Sequence, residues 1–384
     1  MIIPVRILQV SNIISHHQVP LARQFVKMVG AENFRFAATE PPDREREKLG
    51  WNSQENEPWI LRAGENEGDR KIFEQWWDEA DVVICGERRF RRMRDRLYVE
   101  KLTFHMSERW WKPPIGMARL MHPRFALMAA HFVGMAKSPF FHHLPMGGFA
   151  ADDMRRIAAF QGRMWQWGYL TELPDPLPTC DRVGDGLRVL WAGRMLAWKR
   201  VDTLIRAFSR LQHECPLATL TMIGDGPIRN RLERLAEKLL AVGSYRFMLP
   251  MPASVILDLM GQQHIYVLPS NGYEGWGAVV NEAMSAGCAV VASATTGAAK
   301  SMIHHQKNGL FFLPGDWQGL SELLCLLGRD EKFRLQIAQE GQLTITKCWS
   351  PAVAAERFLS LSDALLTKRP VPLFSDGPLA PAWR

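Results

Sequence analysis

The segment that decides the fold reads Val267-Leu-Pro-Ser-Asn-Gly-Tyr-Glu-Gly-Trp-Gly-Ala-Val-Val-Asn-Glu-Ala-Met-Ser-Ala-Gly287. It begins as a short apolar strand, breaks at Pro269 and continues as a glycine-spaced turn that leads into a helix. Glu274 lies in the turn and Glu282 lies inside the helix. Backbone N–H groups before a helix bind anions, and carboxylates accept hydrogen bonds from hydroxyls. The segment therefore indicates a site for a ligand that carries both phosphate and hydroxyl groups.

Short apolar strands alternate with amphipathic helices on both sides of this segment. Six strands are predicted in the second half, which are Leu187–Ala192, Ala218–Ile223, Arg246–Met251, Ile265–Pro269, Ala289–Ala294 and Gly309–Leu313. Strands that alternate with helices at this spacing form parallel sheets covered by helices on both faces. We therefore expect residues 187–348 to form one doubly wound α/β domain.

The first part of the chain shows the same alternation. Its predicted strands are Val5–Val10, Phe34–Thr39, Trp59–Arg62, Asp81–Cys85 and Lys101–Met106. A chain of 384 residues exceeds what one hydrophobic core usually supports, so two domains are expected. The predicted divisions are an N-terminal Rossmann-like domain at 1–172, a proline- and glycine-rich linker at 173–186, the second domain at 187–348, a C-terminal helix packing back toward the N-terminal domain at 349–370, and a loose tail at 371–384.

The net charge of +7 and the isoelectric point near 9.2 favour an acidic partner. Nucleic acid, an anionic membrane surface and phosphorylated small molecules are the three classes that fit this charge. The sequence shows no pattern typical of a nucleic-acid-binding module, so we expect no nucleic-acid partner. It also shows no apolar run long enough to span a bilayer. We expect a cytoplasmic protein, either free or peripheral on the inner face of the membrane.

The densest positive cluster is Arg88–Arg96, which contains six arginines in nine residues. One interpretation is a solvated helix face. The other is a surface that docks on anionic lipid, with Phe90, Met93 and Leu97 spaced to insert into the bilayer.

Polar residues follow several predicted strands of the first domain. Ligands of doubly wound sheets bind beyond the carboxyl ends of the strands, so His16, His17, Glu108 and Arg109 are candidates for a ligand site. The two histidines could bind a phosphate, act as a general base or be structural. Glu108 and Arg109 could equally form a local ion pair.

Several short motifs occur in a fixed order through the second half. They are Gly193-Arg194 followed by Lys199, Gly224-Asp-Gly-Pro227, Pro269-Ser270 followed by Glu274-Gly-Trp-Gly277, and Glu282-Ala283, with Gly287 and Gly309 completing the set. From Leu187 to about Leu313 this pattern resembles the GT-B glycosyltransferases, specifically the large retaining family 4, or glycosyl transferases group 1. The resemblance implies the GT-B architecture, in which two doubly wound Rossmann-like α/β domains face each other across a cleft. It places the donor nucleotide on the second domain and the acceptor on the first.

The resemblance also implies a role for each matched residue. Arg194 and Lys199 should neutralise the donor diphosphate and, with Glu274 beside the donor sugar, form the catalytic set. Glu282 should accept hydrogen bonds from ribose hydroxyls. The other expected donor contacts are Gly193, Gly224, Gly226, Pro227, Ser270, Gly275, Trp276, Gly277 and Val280.

The implied activity is that of a retaining glycosyltransferase, which moves a sugar from a UDP- or GDP-linked donor to a saccharide or lipid-linked acceptor. Surface polysaccharide or glycolipid assembly is the expected setting. No cofactor is expected, and no metal, because the sequence shows no Asp-x-Asp element in a plausible donor loop. A GT-B-fold epimerase or phosphorylase would share this fold, and a non-catalytic nucleotide-sugar or membrane-binding module is a further alternative.

The first domain departs from the family pattern in one loop. Family members often carry a glycine-rich loop after the first strand, whereas this sequence has Ser11-Asn-Ile-Ile-Ser-His-His17. Phosphate contacts from this domain are therefore left open. His105 or His122 is the candidate to replace the histidine that some relatives place near the donor sugar. The acceptor-side candidates are His16, His17, His105, Glu108 and Arg109.

Overall fold

The computed structural model describes residues 5–41, 57–87, 89–182 and 186–382, and these form two compact units. The first unit contains residues 5–41, 57–171 and 349–382, and the second contains the described residues between 172 and 348. The chain therefore returns to the first unit after it has completed the second. Each unit is built around its own parallel β-sheet.

The first unit contains a six-stranded sheet. Its strands are β1 (Ile7–Ser11), β2 (Phe34–Ala38), β3 (Ile60–Arg62), β4 (Val82–Cys85), β5 (Leu102–Ser107) and β6 (Phe141–Pro145). They are arranged in the order β3-β2-β1-β4-β5-β6, and every neighbouring pair is parallel. The helices between them are α1 (Val19–Val29), α2 (Glu67–Glu79), α3 (Phe90–Tyr98), α4 (Pro123–Met135) and α5 (Gly148–Arg156). The strands are almost continuous runs of buried residues, as expected for a sheet covered on both faces.

The second unit repeats this plan. Its strands are β7 (Arg188–Ala192), β8 (Thr219–Ile223), β9 (Tyr245–Met248), β10 (Ile265–Leu268), β11 (Ala289–Ser293) and β12 (Leu310–Phe312). They are parallel and arranged in the order β12-β11-β10-β7-β8-β9. Its helices are α6 (Val201–Glu214), α7 (Arg229–Leu239), α8 (Ala253–Met260), α9 (Val279–Ser285), α10 (Gly297–Met302), α11 (Trp317–Arg329) and α12 (Glu331–Lys347).

The core of the second unit explains why the periodic pattern predicted it well. Helix α6 buries Leu204, Ile205, Phe208 and Leu211 completely, and these lie three or four residues apart on one face. Trp191 of the central strand β7 lies in the same core cluster.

Both sheets reverse their strand order between two central strands. The reversal lies between β1 and β4 in the first unit and between β7 and β10 in the second. Ligands of doubly wound sheets bind beyond the carboxyl ends of the strands at this reversal. The loops that follow β7 and β10 therefore lie at the edge where a ligand of the second unit is expected.

The C-terminal segment is an ordered part of the first unit. Helix α13 (Pro351–Leu366) packs on α1, and the Phe358 ring lies 5.4 Å from that of Phe25. The expectation of a loose tail at 371–384 is wrong for residues 377–382. Leu379 is fully buried and donates its backbone N–H to the Gln166 carbonyl at 2.8 Å, and the Ala380 carbonyl accepts from the Gln166 N–H at 2.8 Å. Proline and glycine content suggested a tail, but these distant backbone partners hold it in place.

Candidate functional site

Two loops at the carboxyl edge of the second sheet contain most of the predicted donor-site residues. One loop follows β7 and includes Gly193 to Lys199, and the other follows β10 and includes Pro269 to Gly277. A backbone hydrogen bond joins them, from Asn271 N–H to the carbonyl of Trp198 at 2.9 Å. Because β7 and β10 are adjacent strands, residues far apart in sequence meet at this edge.

Lys199 and Glu274 are in direct contact across these two loops. The Lys199 Nζ atom lies 2.5 Å from Glu274 Oε2, and both side chains are largely buried. Ser270 Oγ donates to the same carboxylate oxygen at 2.9 Å. A largely buried carboxylate with two donors is held in a more defined position than one in an exposed surface pair. Three residues predicted separately from sequence therefore form one cluster.

Arg194 differs from Lys199 in its surroundings. Its side chain is exposed, and among the described residues its guanidinium has no hydrogen-bond or ion-pair partner. The site therefore contains one cation held by a carboxylate and one cation whose charge faces solvent. An exposed guanidinium that no carboxylate holds is suited to bidentate binding of a phosphate.

A third loop, Gly224–Pro227 after β8, supports the loop that carries Arg194. The Gly193 N–H donates to the Ile223 carbonyl at 2.9 Å, and the Met195 N–H donates to the Asp225 carbonyl at 2.7 Å. Gly224 is required for this close approach, because a Cβ atom there would lie 1.9 Å from the Gly193 oxygen. A Cβ atom at Gly226 would lie 2.6 Å from the Met195 carbonyl oxygen, and Pro227 is exposed. In this structure the glycines of the predicted site bring the loops together.

The turn before α9 presents backbone donors. Within the described chain, the N–H groups of Gly275 and Gly277 have no hydrogen-bond acceptor. Gly277 has a φ of +93°, a left-handed conformation that favours glycine. Trp276 is buried, and its Nε1–H donates to Asn281 Oδ1 at 2.8 Å. The buried indole thus anchors the turn to α9, while the two glycine N–H groups are available to donate to a ligand.

Helix α9 carries the last two predicted donor residues. Val280 is fully buried, so its side chain contributes to the core. Glu282 is half-buried, and burial raises the pKa of its carboxyl to about 7. A protonated fraction at neutral pH would allow this group to donate as well as accept a hydrogen bond.

Tyr266 is a residue at this edge that the sequence did not single out. It is fully buried on β10, its hydroxyl donates to the Ala192 carbonyl at 3.1 Å, and it also accepts from the Ala192 N–H at 3.4 Å. Ala192 is the last residue of β7, directly before Gly193 and Arg194. Tyr266 therefore fixes the end of the strand from which the Arg194 loop departs. A polar aromatic residue inside an apolar strand was the available signal, since a buried tyrosine hydroxyl usually has a partner.

The histidine loop of the first unit follows β1. The His16 and His17 rings lie 3.8 Å apart, and the ring of His17 lies 5.4 Å from that of Tyr169. Burial lowers the pKa of His16 to about 4, and burial and the charge of His16 lower the pKa of His17 well below its ordinary value. Both rings are neutral at pH 7, so they can exchange hydrogen bonds with a ligand but bring no positive charge to a phosphate.

A small cavity adjoins this loop inside the first unit. Its lining includes Gln9, His17, Met106, Trp167 and Tyr169. The Oε1 atom of Gln9 is buried without a hydrogen-bond partner among the described residues. Sequence reasoning missed Gln9 and Tyr169, because neither lies in a motif.

Glu108 and Arg109 do not pair with each other. Glu108 accepts from Lys112 Nζ at 2.9 Å, whereas Arg109 Nε lies 4.0 Å from the buried carboxylate of Asp153. The idea of a local pair between them is therefore wrong. Each side chain instead has a partner elsewhere in the first unit.

The two alternative histidines occupy different environments. His105 is buried on β5, where its Nδ1 lies 3.1 Å from Nδ1 of His143 on the neighbouring strand. His122 is exposed and caps α4, accepting from the Arg124 N–H at 3.3 Å. The structure gives His105 a place in the core and His122 a place at a helix terminus.

The arginine-rich segment forms α3, and the interpretation that its apolar residues insert into lipid is wrong. Met93 is fully buried in the core of the first unit, with Phe90 and Leu97 packed against the same cluster. Arg96 is also buried and donates to the Ala80 carbonyl at 2.9 Å, and Arg92 pairs with Glu74. Arg88 lies outside the described residues. The face of α3 that was expected to meet lipid is the face that meets the core.

Comparison with known proteins supports the fold of both units. The architecture defines a GT-B-fold protein: sucrose-phosphate synthase of Thermosynechococcus elongatus aligns over 95% of this chain and 100% of its own, with a TM-score of 0.67 and 16% identity. HepE of Anabaena, solved in complex with UDP and glucose, aligns over 92% and 98% of the two chains, with a TM-score of 0.66 and 14% identity. At these identities the likeness concerns the fold alone.

A family match covers most of the second unit. Residues 182–344 match the family described as glycosyl transferases group 1. A curated relative is the lipopolysaccharide core biosynthesis glycosyltransferase LpsE of Rhizobium meliloti, which is 28% identical over 187 residues, covering 47% of this chain and 51% of LpsE. The chain spans about half or less of the length of the first curated relatives that it matches. The expected fold is therefore confirmed, and residues 182–344 match the expected family.

Within the part of the chain that the structure describes, every helix is too short or too polar to cross a membrane.

Proposed function

We propose that this chain is a retaining glycosyltransferase that uses a nucleoside-diphosphate sugar. The donor binds to the second unit, on the loops that follow β7, β8 and β10, and the first unit supplies the acceptor side. The observation that carries this proposal is the contact of Lys199 with Glu274, 2.5 Å apart, with the exposed Arg194 in the same loop as Lys199. A cation suited to a diphosphate next to a carboxylate suited to sugar hydroxyls supports a donor that carries both groups.

We expect the diphosphate of the donor to bind cations, and its sugar and ribose to bind carboxylates. Arg194 and Lys199 bind the diphosphate, whose negative charge grows as the sugar departs. Glu274 accepts from a hydroxyl of the sugar, and the N–H groups of Gly275 and Gly277 donate to sugar or phosphate oxygens. Glu282 accepts from the ribose. This division follows from charge: the cations suit phosphate, and the carboxylates suit hydroxyls.

The proposed transfer needs no nucleophile from the protein. The bond between the anomeric carbon and the β-phosphate oxygen breaks, and its electron pair goes to that oxygen. The acceptor hydroxyl attacks the same face of the sugar and passes its proton to the departing phosphate. Configuration is then retained. Two side-chain cations and backbone amides stabilise the leaving group, so we propose that no metal is required.

The names of relatives support the proposed donor and setting. HepE is solved with UDP and glucose, and LpsE is named for lipopolysaccharide core biosynthesis. For this chain we propose a UDP- or GDP-linked sugar as donor and a saccharide or lipid-linked acceptor, in surface polysaccharide or glycolipid assembly.

A thermal-shift screen tests the donor. Purified protein is heated with UDP, GDP and their common sugar conjugates, and the matched donor is expected to raise the melting temperature in a concentration-dependent way. Transfer to candidate acceptors is then measured for wild type, Lys199→Ala and Glu274→Ala. Loss of about a hundredfold in kcat/KM is expected for each variant. Transfer near the wild-type rate in both variants would show that the assigned site is wrong.

One incubation separates this proposal from a GT-B-fold epimerase. The protein is mixed with the matched donor and no acceptor. A transferase leaves the sugar nucleotide unchanged apart from slow hydrolysis, whereas an epimerase converts it into an isomer. Donor binding with neither transfer nor conversion, across a broad acceptor panel, would favour a non-catalytic module.

A further inference from the structure

A long stretch of the first unit contains no acidic residue. Between Glu108 and Asp152 the sequence has no aspartate or glutamate, while it contains Arg109, Lys112, Arg119, Arg124 and Lys137. Surfaces that face only water usually mix charges of both signs. Residues 109–151 therefore carry basic side chains without any acidic side chain, and this part of the first unit has a net positive charge.

The same stretch exposes large apolar side chains. Met121 is 86% exposed, Leu127 is 71% exposed and Ile115 is 57% exposed. Single exposed apolar residues are common on soluble proteins and need no explanation. Here three of them fall within thirteen positions of a segment that lacks any carboxylate.

Helix α4 shows how the two features are combined. Its buried side is formed by Ala129, Phe132 and Met135. Its exposed positions include Arg124, Leu127, Ala130 and His131. A helix on a soluble surface usually presents polar residues opposite its buried stripe, whereas this helix presents an apolar residue between a cation and a histidine. Cations flanking an apolar centre are typical of helices that lie in a membrane interface.

The segment is firmly attached to the unit below it. Asp153 Oδ2, buried on α5, accepts from the backbone N–H groups of Trp110 at 2.8 Å and Trp111 at 3.0 Å. Arg119 donates to the Trp110 carbonyl at 3.1 Å, and the ring of Trp110 packs 4.6 Å from that of Phe132. These contacts hold the start of the segment against α4 and α5.

The charged groups around the segment do not cancel its positive charge. Glu108 is paired with Lys112, Asp152 with Arg155 at 3.2 Å, and Asp95 lies 3.9 Å from Arg94. Among the described residues, Arg124 and Lys137 form no ion pair. Helix α3 lies alongside, with Phe90 5.3 Å from Phe132, and it adds the exposed Arg91.

We propose that residues 112–137 form a docking surface for an anionic lipid bilayer. Ile115, Met121 and Leu127 enter the interface between headgroups and acyl chains, and Arg124 and Lys137 contact the anionic headgroups. The charge on this surface is complementary to such a membrane and repels a second copy of the same surface. The proposal goes beyond sugar transfer and moves the expected lipid contact from α3 to the segment that follows β5.

Vesicle sedimentation tests the proposal without any enzymatic assay. Wild-type protein is mixed with vesicles of phosphatidylcholine alone, or of phosphatidylcholine and anionic phosphatidylglycerol. Binding is expected to the mixed vesicles and to weaken with added salt. Arg124→Gln/Lys137→Gln should weaken binding by about fivefold for each cation removed. Ile115→Ser/Met121→Ser/Leu127→Ser should weaken it by about tenfold or more, because the apolar contacts are lost.

Two matched controls make the test specific. Leu217→Ser/Val242→Ser removes exposed apolar side chains from the second unit, and Arg91→Gln/Arg94→Gln removes the exposed cations of α3. The first should bind like wild type, and the second should lose less than the Arg124/Lys137 variant. All substituted residues are exposed, and circular dichroism checks that each variant is folded. The proposal is overturned if the protein binds neutral and anionic vesicles equally, or if the triple variant binds as well as wild type. It is also overturned if wild type self-associates without vesicles and the triple variant does not, because the surface would then join two copies of the chain.

Discussion

Lys199 and Glu274 lie 75 positions apart in the sequence and 2.5 Å apart in the structure. The contact joins the loop after β7 to the loop after β10 at the reversal of strand order. In the structure the charge of Lys199 is balanced by Glu274, whereas Arg194 has no such partner among the described residues. A donor that brings its own negative charge would therefore meet Arg194 first and would compete with Glu274 for Lys199.

This competition predicts that the two members of the pair respond differently to substitution. Glu274→Gln removes the competing charge but keeps the side-chain size, so UDP or GDP should bind as tightly as in wild type or a few-fold tighter. Sugar transfer should nevertheless fall by about a hundredfold, because the sugar hydroxyl loses a charged acceptor. Lys199→Gln should weaken nucleotide binding and transfer together. Calorimetric titration of the nucleoside diphosphate and initial rates measure the two quantities.

A second ion pair in the same unit provides the control. Arg334 Nη2 lies 3.1 Å from Glu331 Oε1 on α12, and neither residue belongs to the loops that follow β7, β8 or β10. Glu331→Gln should leave nucleotide affinity and rate unchanged. Loss of nucleotide affinity in Glu274→Gln comparable to that in Lys199→Gln would contradict the division into a phosphate end and a sugar end.

Gly224 offers a test of the support beneath the Arg194 loop. In Gly224→Ala the new Cβ would meet the Gly193 carbonyl oxygen, and a backbone atom cannot rotate away as a side chain can. We expect a loss of about 3 kcal/mol or more in the free energy of unfolding, together with weaker nucleotide binding. Gly243→Ala is the matched control, since Gly243 also has a positive φ of +83° but has no atom within 4 Å of the added Cβ. That variant should lose only about 1 kcal/mol. Chemical denaturation compares the two, and similar losses would refute the steric argument.

The sequence predicted the second unit well because its determinants are local. A period of three to four residues defines α6, and the glycine-spaced turn between β10 and α9 follows from residues that are neighbours in sequence. The rule for parallel sheets then placed the loops after β7 and β10 at one edge, where the structure brings Lys199, Ser270 and Glu274 together.

Features that depend on distant partners were not predictable in this way. The C-terminal residues near Leu379 look like a tail until the backbone of Gln166 is seen beside them. The apolar residues of α3 fit a lipid-facing helix equally well until Met93 is seen in the core. Periodicity shows that a helix has an apolar face, but it does not show what covers that face.

Tyr266 provides a test of how the Arg194 loop is positioned. Tyr266→Phe keeps the ring in the core but removes the hydroxyl that bridges both backbone groups of Ala192. A loss of about 1 kcal/mol in stability is expected. Because the loop that follows is less well fixed, kcat should fall by more than nucleotide affinity does. Tyr98→Phe, an exposed tyrosine of α3, should change neither quantity. If kcat and nucleotide affinity fall by the same factor in Tyr266→Phe, then Tyr266 has only a structural role.

The stability of the first unit should fall in mild acid because of His142. This ring is buried on β6 and neutral: its Nδ1 accepts from Trp165 Nε1–H at 3.0 Å, and its Nε2 donates to the Pro139 carbonyl at 3.1 Å. A proton on Nδ1 would point at the Trp165 Nε1–H, which is itself a donor. Burial, and after it the charge of Arg163, lower the pKa of His142 from 6.5 to about 3.

The sign of the pH effect follows from these values. Between pH 6.5 and about 3 the unfolded chain binds a proton at this position and the folded protein does not, so the free energy of unfolding decreases as the pH falls. The slope from one such histidine is at most about 1.4 kcal/mol per pH unit. Urea denaturation between pH 7 and pH 4 should show a steeper decline in wild type than in His142→Asn, although the variant is less stable at pH 7. His213→Asn, an exposed histidine of α6, should keep the wild-type slope. An identical slope in wild type and His142→Asn would mean that His142 already takes up its proton in the folded protein.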